Sequence, residues 1–150
     1  MGLVIVGPPE TGDARIAGRL DLGRLRRCGT GLLRGLGRAR DELTLSLVDD
    51  AEIRELNASY RGRKRATDVL SFSLLEGDHG EHRGQLLGDV VISIDTAARQ
   101  ARQRRRSLDE TVTRLLIHGL LHVVGHDHEV AAEARAMRSE EQRLWRLVRP

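Results

Sequence analysis

Apolar positions recur along this chain with two different periods. Leu43, Leu45 and Leu47 alternate with Thr44, Ser46 and Val48, which is the period of two of a half-buried strand. Residues 3–6 form a short apolar run stopped by Gly7-Pro8-Pro9 and read as an edge strand. Residues 69–74 and 86–94 complete a set of four strands. Between them the spacing widens to that of helices. Residues 13–38 carry Ile16, Leu20, Leu25, Leu32, Leu33 and Leu36, a helical stretch interrupted around Cys28-Gly29-Thr30. Asp49-Asp50 opens a helix with Ile53 and Leu56 turned inward, and Asp95 begins another that reaches Arg106. Ser107-Leu108-Asp109-Glu110 has the form of a capping box. The helix it starts runs to about Val124, where Gly125 ends it as a left-handed residue would. A last amphipathic helix places Val130, Ala134, Met137, Leu144 and Val148 on its buried face. Strands interleaved with about five helices, with at least one strand pair joined by a hairpin-like loop, predict an α/β or α+β fold. A mixed sheet in a single domain over residues 1–150 fits best.

Composition narrows the class. No window approaches the ~18 uninterrupted apolar residues of a membrane span, and the first residues lack the charged start of a signal peptide. Cys28 is alone, which excludes a disulfide framework and any zinc site built from cysteines. A soluble cytoplasmic domain with no membrane partner is the expectation. Its three aromatic residues, Tyr60, Phe72 and Trp145, are too few for a sheet face that reads RNA by stacking bases. The net charge of +3 permits a nucleic-acid partner without requiring one.

The chemistry concentrates near the C-terminal end. Four of the six histidines fall between residues 118 and 128: His118, His122, His126 and His128. His118 and His122 stand four apart on a predicted helix, one turn from each other on the same face. Gly125 breaks that helix, so the chain can double back and bring His128 to the same point. Three neutral imidazoles suit Zn2+ and leave a fourth tetrahedral position for water. The spacing H-x-x-x-H-x-x-G-x-x-H is also that of the metzincin proteases, which place a glutamate after the first histidine as general base. Here that residue is Gly119, which cannot take a proton.

The full motif His118-Gly119-Leu120-Leu121-His122-Val123-Val124-Gly125-His126-Asp127-His128 resembles the signature of the YbeY-type bacterial endoribonucleases. Two further blocks agree with that resemblance. Asn57-Ala58-Ser59-Tyr60-Arg61 is followed by Thr67-Asp68-Val69-Leu70-Ser71-Phe72, and Gly88-Asp89-Val90-Val91-Ile92-Ser93 completes the set. The likeness covers residues 43–128 and adds little over the first forty. It departs at Ala66 and Ser73, where the family often has proline, and at His126, where it has Tyr or Phe. The resemblance implies a zincin-like α+β domain with a four-stranded mixed sheet and one zinc ion held by His118, His122 and His128. It implies an endoribonuclease acting on single-stranded RNA in maturation of the small-subunit (16S) rRNA 3' end and in ribosome quality control. It matches Arg61 to the family's functional arginine. Its implied partners are the rRNA precursor and small ribosomal subunit, with ribosomal proteins or a ribosome-assembly GTPase, and no DNA. Two other readings stay open: a zinc hydrolase of peptide or amide bonds, and a non-enzymatic assembly factor with structural zinc.

Individual residues carry competing roles. Arg61 is either a helix-end ion-pair partner or a fork over the scissile phosphate. Arg63, Lys64 and Arg65, with the run 102–106, are either a solvated charged face or a surface that tracks RNA. Asp127 either orients a ligand imidazole or caps the next helix. His126 reads as a turn residue, and His79 and His82 as solvated. Asp68 and Asp89 read as structural groups bonding backbone near strand ends, and Cys28 as a small buried residue.

Overall fold

The alternating residues 43–48 form β2 (Glu42–Val48), which pairs on both sides. In a computed structural model describing residues 2–9, 19–61, 68–75, 85–126 and 129–149, with Tyr60 and Arg61 described in backbone only, four strands make one sheet. β1 (Gly2–Val6) lies parallel to β2, Leu3 opposite Leu43. On the other side β4 (Leu86–Ser93) is also parallel to β2, and β3 (Val69–Ser73) closes the sheet antiparallel to β4. The order β1-β2-β4-β3 leaves β1 and β3 at the edges. The expectation of a mixed four-stranded sheet in an α+β domain holds.

Alternation divides the core between the two sheet faces. Leu43, Leu45, Leu47, Val90 and Ile92 belong to a large cluster shared with α1 (Leu22–Gly35), α3 (Ile94–Arg104), α4 (Leu108–Val123) and α5 (Ala131–Val148). Val48, Leu70 and Val91 form a smaller cluster with Ile53 of α2 (Asp50–Arg61). Most of the apolar burial therefore lies on the α4 side. These five helices are those of the described residues, and none is long and apolar enough to cross a membrane.

Several boundaries differ from expectation for identifiable reasons. α1 runs unbroken through Cys28-Gly29-Thr30. Gly29 serves there as a contact surface, since a Cβ at that position would lie 2.6 Å from Leu3 Cβ. Ser93, rather than Asp95, caps α3 by accepting from the Thr96 amide, and the helix ends at Arg104 because Arg105 adopts φ 55°. Val130 precedes α5 and is 57% exposed, so it is not on the buried face; Met137 and Leu144 are. Asp89 lies within β4 opposite Phe72 rather than at a strand end, and burial pushes its carboxyl pKa up. Asp68 accepts from the Gln100 side chain at 3.2 Å.

Candidate functional site

α4 is fixed at both ends and in the middle, and this fixes its imidazoles. At its start Ser107 accepts from the Glu110 amide, as the capping box predicts. Asp109 there accepts the Asp21 amide at 2.9 Å, tying α4 to the start of α1. In the middle Gly119 faces the sheet so closely that a Cβ would stand 2.6 Å from Val90 Cγ1 and 3.1 Å from Val69 Cγ2. The Ser71 hydroxyl on β3 donates to the Gly119 carbonyl at 2.9 Å. At the end the Ser73 hydroxyl donates to the Val123 carbonyl at 2.8 Å, so the serine found where proline is frequent acts as a second pin.

Beyond Val123 the chain makes a Schellman turn. Gly125, with φ 104°, lets its amide reach the His122 carbonyl and lets the His126 amide reach the Leu121 carbonyl. The turn carries the His126 carbonyl back over the helix, where it accepts from His122 Nδ1 at 2.9 Å. His126 thus contributes its backbone to the site. A carbonyl can only accept, so His122 Nδ1 carries the proton and, in the neutral ring, Nε2 carries a lone pair. His118 Nδ1 faces the Glu141 carboxylate of α5 at 3.4 Å, which selects the same tautomer. The two Nε2 atoms then lie 3.2 Å apart, with the rings nearly perpendicular at 79°.

That separation is the fit test for a metal ion. Two nitrogens bound to one tetrahedral zinc at ~2.0–2.1 Å sit about 3.3–3.4 Å from each other. Two neutral imidazoles with their lone pairs converging at 3.2 Å suit a shared cation. Acceptors on the opposite ring nitrogens are the usual means of orienting such ligands. Among the described residues no third histidine, cysteine or carboxylate completes a group of three. His128 and Asp127 lie outside the described residues, as do Arg63, Lys64, Arg65, His79 and His82. Arg61 is the last residue of α2.

The start of α2 is held by charge. Asp50 accepts from the hydroxyls of Ser93 and Thr96 and pairs with Arg99 at 2.9 Å. Burial raises the Asp50 carboxyl pKa, but the bonds from Ser93, Thr96 and Arg99 outweigh it and leave the carboxyl below its ordinary range. Asp95 accepts the Asp50 amide from the other side. Sequence reasoning missed this joint and also missed Glu141. The signal for Glu141 was present: Met137, Glu141, Leu144 and Val148 recur at helical spacing, putting one carboxylate in an otherwise apolar stripe.

A mixed sheet carrying an imidazole-bearing helix, sealed to it through a glycine, defines a small α+β domain built to present paired nitrogens. The family model described as Endoribonuclease YbeY matches residues 31–148, and the chain belongs to that family. An Endoribonuclease YbeY from Anaeromyxobacter sp. (strain Fw109-5) is 51% identical over 129 residues, covering 86% of this chain and 66% of the relative. One from Syntrophus aciditrophicus is 41% identical over 132 residues, covering 87% and 82%. The chain spans about two thirds of the Anaeromyxobacter protein and 35% of a Myxococcus xanthus relative to which it is 50% identical over 103 residues. The solution structure of the Thermotoga maritima protein TM1509 has the same fold, with a TM-score of 0.58 at 23% identity over 95% of this chain and 89% of that one.

Proposed function

We propose that this chain is a zinc-dependent endoribonuclease of the zincin-like type, acting on single-stranded precursor rRNA of the small subunit in the bacterial cytoplasm. The observation that carries the reading is the pair of Nε2 atoms 3.2 Å apart, each on a ring whose Nδ1 faces an acceptor. His118, His122 and His128 would hold the ion. Zinc bound by three neutral ligands lowers the pKa of a water and polarises a phosphate oxygen. The names of the relatives support the RNA substrate. Arg61, at the end of a helix anchored through Asp50, is the residue proposed to neutralise phosphate charge that builds in the transition state. Asp127 is proposed to support a ligand ring, and Arg63, Lys64 and Arg65 to contact RNA. Ribosomal proteins and a ribosome-assembly GTPase are the proposed protein partners.

The peptide-hydrolase alternative meets a physical obstacle, because the sheet leaves no room at residue 119 for the glutamate which that chemistry uses. The test is metal analysis and rRNA-precursor cleavage by the parent, His122→Ala and Arg61→Ala. The expected result is one zinc per parent chain, loss of zinc and cleavage in His122→Ala, and retained zinc with cleavage lowered at least tenfold in Arg61→Ala. Equal zinc in parent and His122→Ala would refute the metal site. A zinc-loaded parent that binds precursor without cutting it would favour an assembly factor.

A further inference from the structure

Outside the imidazole pair, a cluster of arginines lines an open groove of about 600 Å³ between α4, α5 and the α3–α4 turn, with His118 on its wall. Arg104 comes from the last turn of α3, Arg106 from the connection to α4, Arg114 from α4, and Arg138 and Arg146 from α5. Among the described residues, Asp68 and Glu141 are its lining carboxylates, so five guanidiniums face two acids. Glu110 occupies part of this charge, accepting from Arg106 at 3.1 Å and Arg114 at 3.3 Å. Among the described residues no carboxylate pairs with Arg104, Arg138 or Arg146. Arg114 lies over the Trp145 ring, its guanidinium carbon 4.2 Å from the ring centroid.

We infer that this groove is the track along which a single RNA strand reaches the imidazole site, with phosphates on Arg104, Arg138 and Arg146 and a base against the Arg114–Trp145 pair. Small-molecule clefts carry few polar groups; this one is lined by five guanidiniums, a concentration of positive charge that suits a polyanion. Cationic grooves with an aromatic or guanidinium plane are the sequence-tolerant means of holding single strands. Three of the five arginines and the tryptophan come from α4 and α5, so the surface extends well past the basic residues that precede α4. The inference rests on the endoribonuclease reading for its substrate, yet binding and cutting can be measured apart.

Trp145 is the chain's only tryptophan, so its fluorescence reports on this groove alone. The experiment titrates the full chain with a 2'-O-methyl single-stranded oligonucleotide, at several salt concentrations, beside a duplex of the same sequence and polyglutamate. Saturable change in Trp145 emission is expected with the single strand only. Arg138→Ala/Arg146→Ala should weaken binding at least tenfold at low salt and flatten the log–log salt slope by about 0.7 per lost contact. Arg138→Lys/Arg146→Lys should restore most of the slope. Both positions are exposed on α5, so folding is not at stake. In cleavage of precursor the alanine pair should raise KM and leave kcat unchanged. Normal cleavage with an unaltered slope and KM would overturn the groove proposal while leaving the nuclease reading intact. Salt-sensitive quenching without any cleavage would uphold the groove and sink the nuclease reading. Preference for polyglutamate over RNA would overturn the proposal in favour of an acidic protein segment.

Discussion

Two helices in this molecule rest on the sheet through a glycine, and they use the same device to different ends. In α1 the missing side chain of Gly29 admits Leu3 of β1; in α4 that of Gly119 admits Val90 and Val69. Both contacts would force a movement if a Cβ were added. The α1 contact is otherwise apolar, backed by Leu32, Leu33 and Leu25. The α4 contact is pinned in addition by Ser71 and Ser73 at the carbonyls of Gly119 and Val123, one turn apart along the helix. Shape alone suffices to attach a helix. Holding two nitrogens 3.2 Å apart requires the helix to be fixed along its length as well.

The sharpest way to break the comparison is Gly119→Glu. It should cost at least about 3 kcal/mol through overpacking and a buried charge, and it should yield no protease. Chemical denaturation and a casein assay would read both, and a stable, chelator-sensitive peptidase would remove the packing argument. A contact held by charge provides the contrast. Asp50→Ala should lower stability by about 1.5–3 kcal/mol near neutral pH. Because the folded carboxyl titrates below its unfolded value of about 3.9, this contribution is present above that value and is lost as pH falls through the folded pKa. The difference between parent and variant should therefore shrink below about pH 4, and a gap that stays constant down to pH 2 would contradict the assignment.

Alanine at each glycine sharpens the comparison further. Overpacking of about 1–3 kcal/mol is offset by about 1 kcal/mol of helix propensity, so Gly29→Ala and Gly119→Ala should each lose about 0–2 kcal/mol. Only Gly119→Ala should also weaken zinc binding, as measured by competition with a chelator; equal metal affinity in the two variants would erase the distinction. The smallest expected effect is that of Ser73→Ala, about 1 kcal/mol for one hydrogen bond, with faster amide exchange at the end of α4. Unchanged exchange at Gly125 and His126 would show that the Schellman turn holds that end by itself.

These contacts also mark how far the sequence could be read. The alternation over 43–48, the cap at Ser107 and the stop at Gly125 are local signals, and the structure follows them. The unbroken α1 was not legible, because the residue that makes Gly29 useful is Leu3, 26 positions away. The imidazole pair could be read from spacing alone, whereas the groups that orient it could not. One is a backbone carbonyl of His126, which has no letter of its own, and the other is Glu141 on a separate helix. The fold class was legible because periodicity is a property of each element. Contacts between elements depend on pairs that no periodicity reveals.

The order of elements along the chain has a consequence for assembly during synthesis. Among the described residues every strand is encoded before residue 94, and the imidazole helix only from residue 108 onward. The sheet with which Gly119 and Val123 must dock is therefore complete in sequence before either of the paired imidazoles, His118 and His122, is made. Synthesis proceeds from the N-terminus, and the parts made first can fold first. The helix is thus delivered to a surface that already exists, and its nitrogens converge only as it settles. A nascent chain halted before α4 should pair its strands, while convergence of the two imidazoles should await the closing turn at Gly125.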